Sequence, residues 1–294
     1  MSLVGPRRAC EPSRMGFAVE VRELRKAYGT RRAVDGVDFT VDVGEIVALL
    51  GPNGAGKTTT VEMCAGFRRP DSGQIRVLGT EPFRAPATWK ARIGVVTQQT
   101  TDLKELTVAQ AVWAISGCYG APRPAAEVIE AVGLTEQSDQ RCGLLSGGQR
   151  RRLEVALGIL GSPELLFLDE PTTGFDPEAR RMFWSLIEQL RADGTTILLT
   201  THYLDEAEHL ADRVGVIAAG RMLEINTPEL IGGRSGALSA VSWIEDGHPH
   251  TEHTATPTEL VRQLAARIDG EIVGLSIARP TLEDVYVRMI NEVA

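Results

Sequence analysis

The segment Gly51-Pro52-Asn53-Gly54-Ala55-Gly56-Lys57-Thr58 constrains this chain more than any other part of it. It fits the pattern GxxxxGK[ST] and stands directly after the apolar run Ile46–Leu50 and before a helical stretch, Thr58–Gly66. A continuous apolar run suits a strand buried on both faces of a parallel sheet. Glycines let the backbone curl until its N–H groups face inward, and a helix N-terminus adds about half a positive charge. Lys57 brings a full charge to the same place, and the Thr58 hydroxyl is a ligand suited to Mg2+. The spacing therefore predicts a phosphate cradle between a buried strand and a helix.

A second apolar run, Leu165–Leu168, ends in Asp169 and Glu170. Asp169 can hold Mg2+, directly or through water, and Glu170 is placed to polarise an attacking water as general base. Leu145-Ser146-Gly147-Gly148-Gln149 opens another helix, with Ser146 as N-cap and two glycines exposing backbone amides. It is a second helix N-terminus suited to an anion. The Arg150, Arg151 and Arg152 that follow read as a solvated face or local structure, without a catalytic role.

The order of these three segments resembles that of the ABC transporter ATPases, and Leu145–Gln149 resembles their signature motif. The resemblance covers about Val19–Leu223. It implies binding and hydrolysis of ATP with Mg2+, by two protomers that sandwich two nucleotides head to tail. Gly51, Asn53, Gly54, Ala55, Gly56, Lys57, Thr58 and Thr59 then hold one ATP, while Ser146, Gly147, Gly148 and Gln149 close over the γ-phosphate of the partner's. By the same likeness Tyr28 stacks on adenine. Gln98, with Gln99 adjacent, senses Mg2+ and the attacking water after Thr97, where the family often has proline. Thr173-Gly174-Phe175-Asp176 is similar to the D-loop, with phenylalanine where leucine is usual, and Asp176 bridges protomers. His202 resembles the switch histidine that bonds the γ-phosphate and orients Glu170. The catalytic candidates are thus Glu170, His202, Gln98 and Lys57; those for the metal are Thr58, Gln98 and Asp169.

The expected fold is α/β: a P-loop NTPase core over 17–225, with a helical subdomain inserted at about 99–160 and a small α+β appendage at 226–294. The glycines 232, 233 and 236 mark the linker. In the appendage the pattern predicts strands Leu238–Trp243 and Glu271–Ile277 and helices Pro257–Ile268 and Leu282–Glu292. Residues 1–16 read as a disordered extension, and Met15 offers an alternative start. No stretch approaches the roughly 18 apolar residues that span a bilayer. A membrane role then requires a separate permease and a place at the cytoplasmic face. The formal charge of −8 argues against nucleic acid as partner. The cysteines at 10, 64, 118 and 142 form no CxxC pair and read as reduced thiols. His248, His250 and His253 read as a solvated turn, not a metal site.

Finer segments are similar to the exporter branch of daunorubicin-type resistance ATPases. These are Leu153–Ala156, Thr173–Arg181, Thr201–Glu206 and Pro280–Tyr286, the last also an N-capped helix start with Thr281 as cap. The implied cargo is a drug, antibiotic or lipid-like compound. The alternatives are an importer ATPase and a soluble, non-transport ABC ATPase. The dimer is a homodimer or a pair with a related chain.

Overall fold

A computed structural model of the chain describes residues 16–97, 103–268 and 270–292. The Gln98 and Gln99 of the sequence reading, and the extension before residue 16, lie outside them. The chain divides into two compact units between Ile225 and Asn226.

The first unit begins with strands β1 (Val19–Tyr28) and β2 (Arg31–Val41), followed by β3 (Ile46–Leu50) and helix α1 (Lys57–Cys64). Then come β4 (Ser72–Val77), α2 (Ala87–Lys90) and β5 (Ile93–Val96). The helical stretch carries α3 (Val108–Ser116), α4 (Ala125–Ala131) and α5 (Gly147–Ile159). The unit closes with β6 (Leu165–Asp169), α6 (Pro177–Ala192), β7 (Thr196–Thr201), α7 (Leu204–Leu210), β8 (Arg213–Ala218) and β9 (Arg221–Asn226).

Two sheets result. β2-β1-β4 is antiparallel, and β5-β6-β7-β3-β8-β9 is built on parallel pairs. Every residue of β3, β6 and β7 is buried, as suits the apolar run of β3 and the apolar stretches Leu165–Leu168 and Ile197–Leu199 of the other two. Burying each Val, Leu or Ile side chain stabilises the fold by about 1.5–3 kcal/mol. Val19, Val21, Leu24, Val37 and Phe39 from the antiparallel sheet share one core with Val47, Leu49, Phe167 and Leu198 and with Val61 and Met63 of α1. The phosphate-loop segment is thereby anchored between two sheets.

The parallel register fixes which residues end level. Leu50 lies beside Thr201 and Val216, and Asp169 beside Thr200. The carboxyl ends of β3, β6 and β7 therefore meet at one sheet edge, where open α/β folds bind ligands. Helices α3 and α5 start on capping boxes, Thr107 with Gln110 and Ser146 with Gln149. Each box satisfies an otherwise orphaned backbone N–H at either end of the pair.

In the second unit β10 (Ser239–Glu245) lies between β11 (His248–Thr254) and β12 (Ser276–Ala278), all antiparallel, with helices α8 (Pro257–Arg267) and α9 (Leu282–Asn291). Val241, Trp243 and Leu264 form its core. Thr281 caps α9 with Asp284 as partner, as its sequence suggests. Two expectations need correction. The histidines His248, His250 and His253 are on a strand, β11, with exposed side chains rather than in a turn. The predicted strand Glu271–Ile277 shrinks to β12, because Gly274 turns at φ +65° and the Leu275 amide donates back to the Ile272 carbonyl. Among the described residues no helix is long and apolar enough to cross a membrane.

Candidate functional site

The loop between β3 and α1 is shaped by close backbone approach. A Cβ at Gly51 would stand 2.2 Å from the Ile217 carbonyl oxygen. One at Gly56, whose φ is +106°, would stand 2.3 Å from that of Ala33. Only glycine fits either position. Lys57 follows at once as the first residue of α1, and its ammonium is 4% exposed. It donates to the carbonyls of Gly51 at 2.7 Å and Pro52 at 3.2 Å, and pairs with Glu170 Oε1 at 3.3 Å.

β6 delivers the carboxylates. Asp169 Oδ1 accepts from the Thr58 hydroxyl at 3.1 Å and from the Thr200 hydroxyl at 2.5 Å. Burial raises the Asp169 carboxyl above the usual carboxylate range, while the Thr200 and Thr58 hydrogen bonds pull it back down. The next residue, Glu170, has φ +47°. Its amide donates both to the Thr200 carbonyl at 3.1 Å and to the Thr200 hydroxyl oxygen at 3.0 Å. On its other side Glu170 Oε2 stands 3.4 Å from His202 Nδ1. That nitrogen is buried and has no aligned hydrogen-bond partner, so the pair is a close approach rather than a made bond.

A cavity of about 590 Å³ opens on this group. Tyr28, Asn53, Gly54, Gly56, Lys57, Thr58, Thr59 and Glu170 line it, together with Arg31 and Ala33. Gly51 and Ala55 are buried behind the lining. The Tyr28 ring is 42% exposed at the end of β1, with the Arg68 guanidinium 5.2 Å from its centroid. Ser146, Gly147, Gly148 and Gln149 are not among the lining residues; Ser146 accepts from the Gln149 amide at 3.2 Å as the cap of α5. Asp176 caps α6, accepting from the amides of Glu178 at 3.0 Å and Ala179 at 2.8 Å.

Several residues around the site have no individual role that the sequence alone assigns. Arg31 reaches the loop and donates to the Gly54 carbonyl at 2.9 Å. Of the two readings offered for it, Arg151 is local structure and not a solvated face: it is 9% exposed, and its partners are the carbonyls of Thr97, Asp169 and Pro171 and the Glu154 carboxylate. Arg152 likewise turns inward onto the carbonyls of Val132 and Gly133. Glu206, at the start of α7, is fully buried. The Thr201 and Thr172 hydroxyls and the Trp184 indole are gathered near its carboxyl, but neither oxygen has a closed hydrogen bond, and burial raises its pKa. No single segment carries a signal for these contacts, because each joins elements distant in sequence.

The oxygen donors of Thr58 and Asp169, a hydroxyl against a carboxylate, are hard ligands of the kind Mg2+ takes when it also binds phosphate. A buried ammonium, a glycine-bound loop and two carboxylates at one sheet edge can together grip a polyphosphate and direct water onto it.

Comparison with known proteins supports that chemistry. A family model described as ABC transporter matches residues 34–173. The chain is 37% identical to a daunorubicin resistance ATP-binding protein of Streptomyces coeruleorubidus over 93% of this chain and 95% of that one. It is 37% identical to the Nod factor export ATP-binding protein I of Rhizobium meliloti over 92% and 88% of the two chains. Among solved structures it resembles one described as the ATP binding subunit of an ABC transporter, with TM-score 0.69 and 24% identity over 92% of this chain and 99% of that one.

Proposed function

The chain belongs to the family of ABC transporter ATP-binding proteins, and from that premise we propose that its ATP hydrolysis powers export of a drug-like, antibiotic or lipid-like compound through a separate membrane subunit. The likeness to resistance and Nod factor export proteins extends over more than nine-tenths of the chain and so includes the second unit. The chain then works at the cytoplasmic face of the membrane, docked on its permease.

The observation that supports the hydrolysis mechanism is the set of contacts beside the cavity that Lys57, Thr58 and Glu170 line: Lys57 pairs with Glu170, Thr58 donates to Asp169, and His202 stands 3.4 Å from Glu170. Phosphate oxygens compete with the Gly51 and Pro52 carbonyls for the Lys57 ammonium, a charge-assisted exchange. Loop amides and the N-terminus of α1 share the negative charge. Tyr28 stacks the base at the cavity mouth. Thr58 and Asp169 would hold Mg2+, which when bound would supply charge neutralisation to the phosphate oxygens. Glu170 orients the attacking water and receives its proton, with His202 beside it steering the carboxylate and bonding the γ-phosphate. By the family resemblance Gln98, which lies outside the described residues, would serve as a sensor of the metal and the water.

Two copies close head to tail, so that Ser146–Gln149 of each caps the γ-phosphate bound by the other. Hydrolysis removes that shared ligand and reopens the pair, a two-state switch biased by nucleotide. The test is Glu170→Gln, which retains the side-chain shape and removes the base. With saturating Mg-ATP the variant is expected to bind nucleotide and accumulate as a dimer in light scattering, with turnover lowered by at least about 100-fold. Brisk hydrolysis would refute the base assignment, and a persistent monomer would refute the sandwich.

A further inference from the structure

Glu170 stands in the left-handed backbone region at φ +47°, which L side chains with a Cβ adopt only when their surroundings impose it. The carbonyls that bracket it belong to Asp169 and Pro171. Both accept from one side chain, Arg151 of α5: Nε donates to the Pro171 carbonyl at 3.1 Å and Nη2 donates to that of Asp169. Nη1 donates to the Thr97 carbonyl at 2.5 Å and to Glu154 Oε2 at 2.6 Å. One guanidinium thus fastens the turn on either side of Glu170 and the end of the segment that leads to Gln98.

A fork with five N–H groups in a fixed plane can serve four acceptors at once, whereas an ammonium acts from a single point. Glu154 supplies the opposite charge that a buried guanidinium requires, so the carbonyls are free to set its position. The side chain does not line the nucleotide cavity, and its protein partners are backbone oxygens apart from Glu154.

We propose that Arg151 is a positioning residue for hydrolysis, holding the strained turn at Glu170 so that its carboxylate points into the nucleotide cavity. The proposal rests on Glu170 acting as the base. Its signature is a loss in kcat with ATP binding retained, because the guanidinium controls the aim of the carboxylate and not the grip on phosphate. Misplacement of a reacting group by about 1 Å can cost about 100-fold.

The experiment compares Arg151→Lys, Glu170→Gln and the double variant in the full chain, by steady-state Mg-ATP hydrolysis and thermal melting. Arg151→Lys is expected to lower kcat by about 10- to 100-fold with KM for ATP within about twofold of the parent. Added to Glu170→Gln it is expected to cost nothing further, since the group it aims is gone. Glu154→Gln, which loosens the fork without removing it, is the milder companion should Arg151→Lys fold poorly. It is expected to lower kcat about three- to tenfold, again at constant KM. A parental kcat in the folded Arg151 variant, a raised KM at unchanged kcat, or losses that multiply in the double variant would overturn the role of Arg151 while leaving a slow Glu170→Gln, and hence the base, intact. Full turnover by Glu170→Gln alone would instead remove the base and the positioning role together.

Discussion

The hydroxyl of Thr58 donates to Asp169 Oδ1 across 3.1 Å, joining the first turn of α1 to the end of β6, 111 positions away in the chain. The same carboxylate oxygen accepts from Thr200 at 2.5 Å. Two hydroxyls from two elements thus aim one carboxylate at the mouth of the phosphate loop.

Asp169→Asn keeps an acceptor for both hydroxyls and removes the charge. We expect binding of metal-free ATP within a few-fold of the parent, and Mg-dependent hydrolysis lower by at least about 100-fold. Nucleotide titrations with and without Mg2+, alongside turnover, separate the two effects. Comparable loss of metal-free binding would show that the carboxylate serves the loop rather than the metal.

Lys57→Ala removes a buried ammonium that already finds three oxygen partners in the protein. A hydrogen bond to a charged group contributes about 1.5–3 kcal/mol, so ATP affinity should fall by roughly 10- to 150-fold. Calorimetric titration measures it, and a Kd within threefold of the parent would remove Lys57 from the phosphate site.

Glu206 concerns stability and not turnover. Burial raises its folded pKa above the ordinary value of 4.5, so the folded chain holds the proton more tightly than the unfolded one. Its favourable share of stability is complete below pH 4.5 and is lost as pH rises through the folded value. Glu206→Gln should remove that dependence. The Tm difference, variant minus parent, is expected to grow more positive from pH 5 to pH 8. A constant difference would mean that the carboxyl is satisfied in the folded state.

Gly56→Ala forces a Cβ to within 2.3 Å of the Ala33 carbonyl at φ +106°. Gly29→Ala meets nothing within 4 Å at φ +59°. We expect about 1 kcal/mol of destabilisation at Gly29 and more than about 2 kcal/mol at Gly56, with ATP binding lost only in the second. Denaturant unfolding of both variants tests the ordering.

The phosphate loop was legible because its meaning is local. A buried strand, three glycines, a lysine and a hydroxyl stand next to each other, and their chemistry follows from adjacency. Asp169 and Glu170 were legible for the same reason, as the polar end of an apolar run. Arg151 was not. Three successive arginines look solvated in sequence, and only folding reveals that carbonyls from two distant segments surround the middle one. Glu206 looks like an ordinary acidic residue in a helix first turn, where it would favour the dipole, until packing removes its water. β11 had no apolar alternation to betray it; its pairing with β10 makes it a strand.

The even finish of β3, β6 and β7 has a mechanical corollary. Slipping one of these strands by a single residue would carry its terminal group about 3.3 Å along the sheet and turn it to the opposite side. Leu49, Asp169 and Thr200 would then no longer share a level, although every one of them would still be present. The sheet is a ruler whose graduations are backbone hydrogen bonds, and the accuracy of the chemistry is inherited from their spacing.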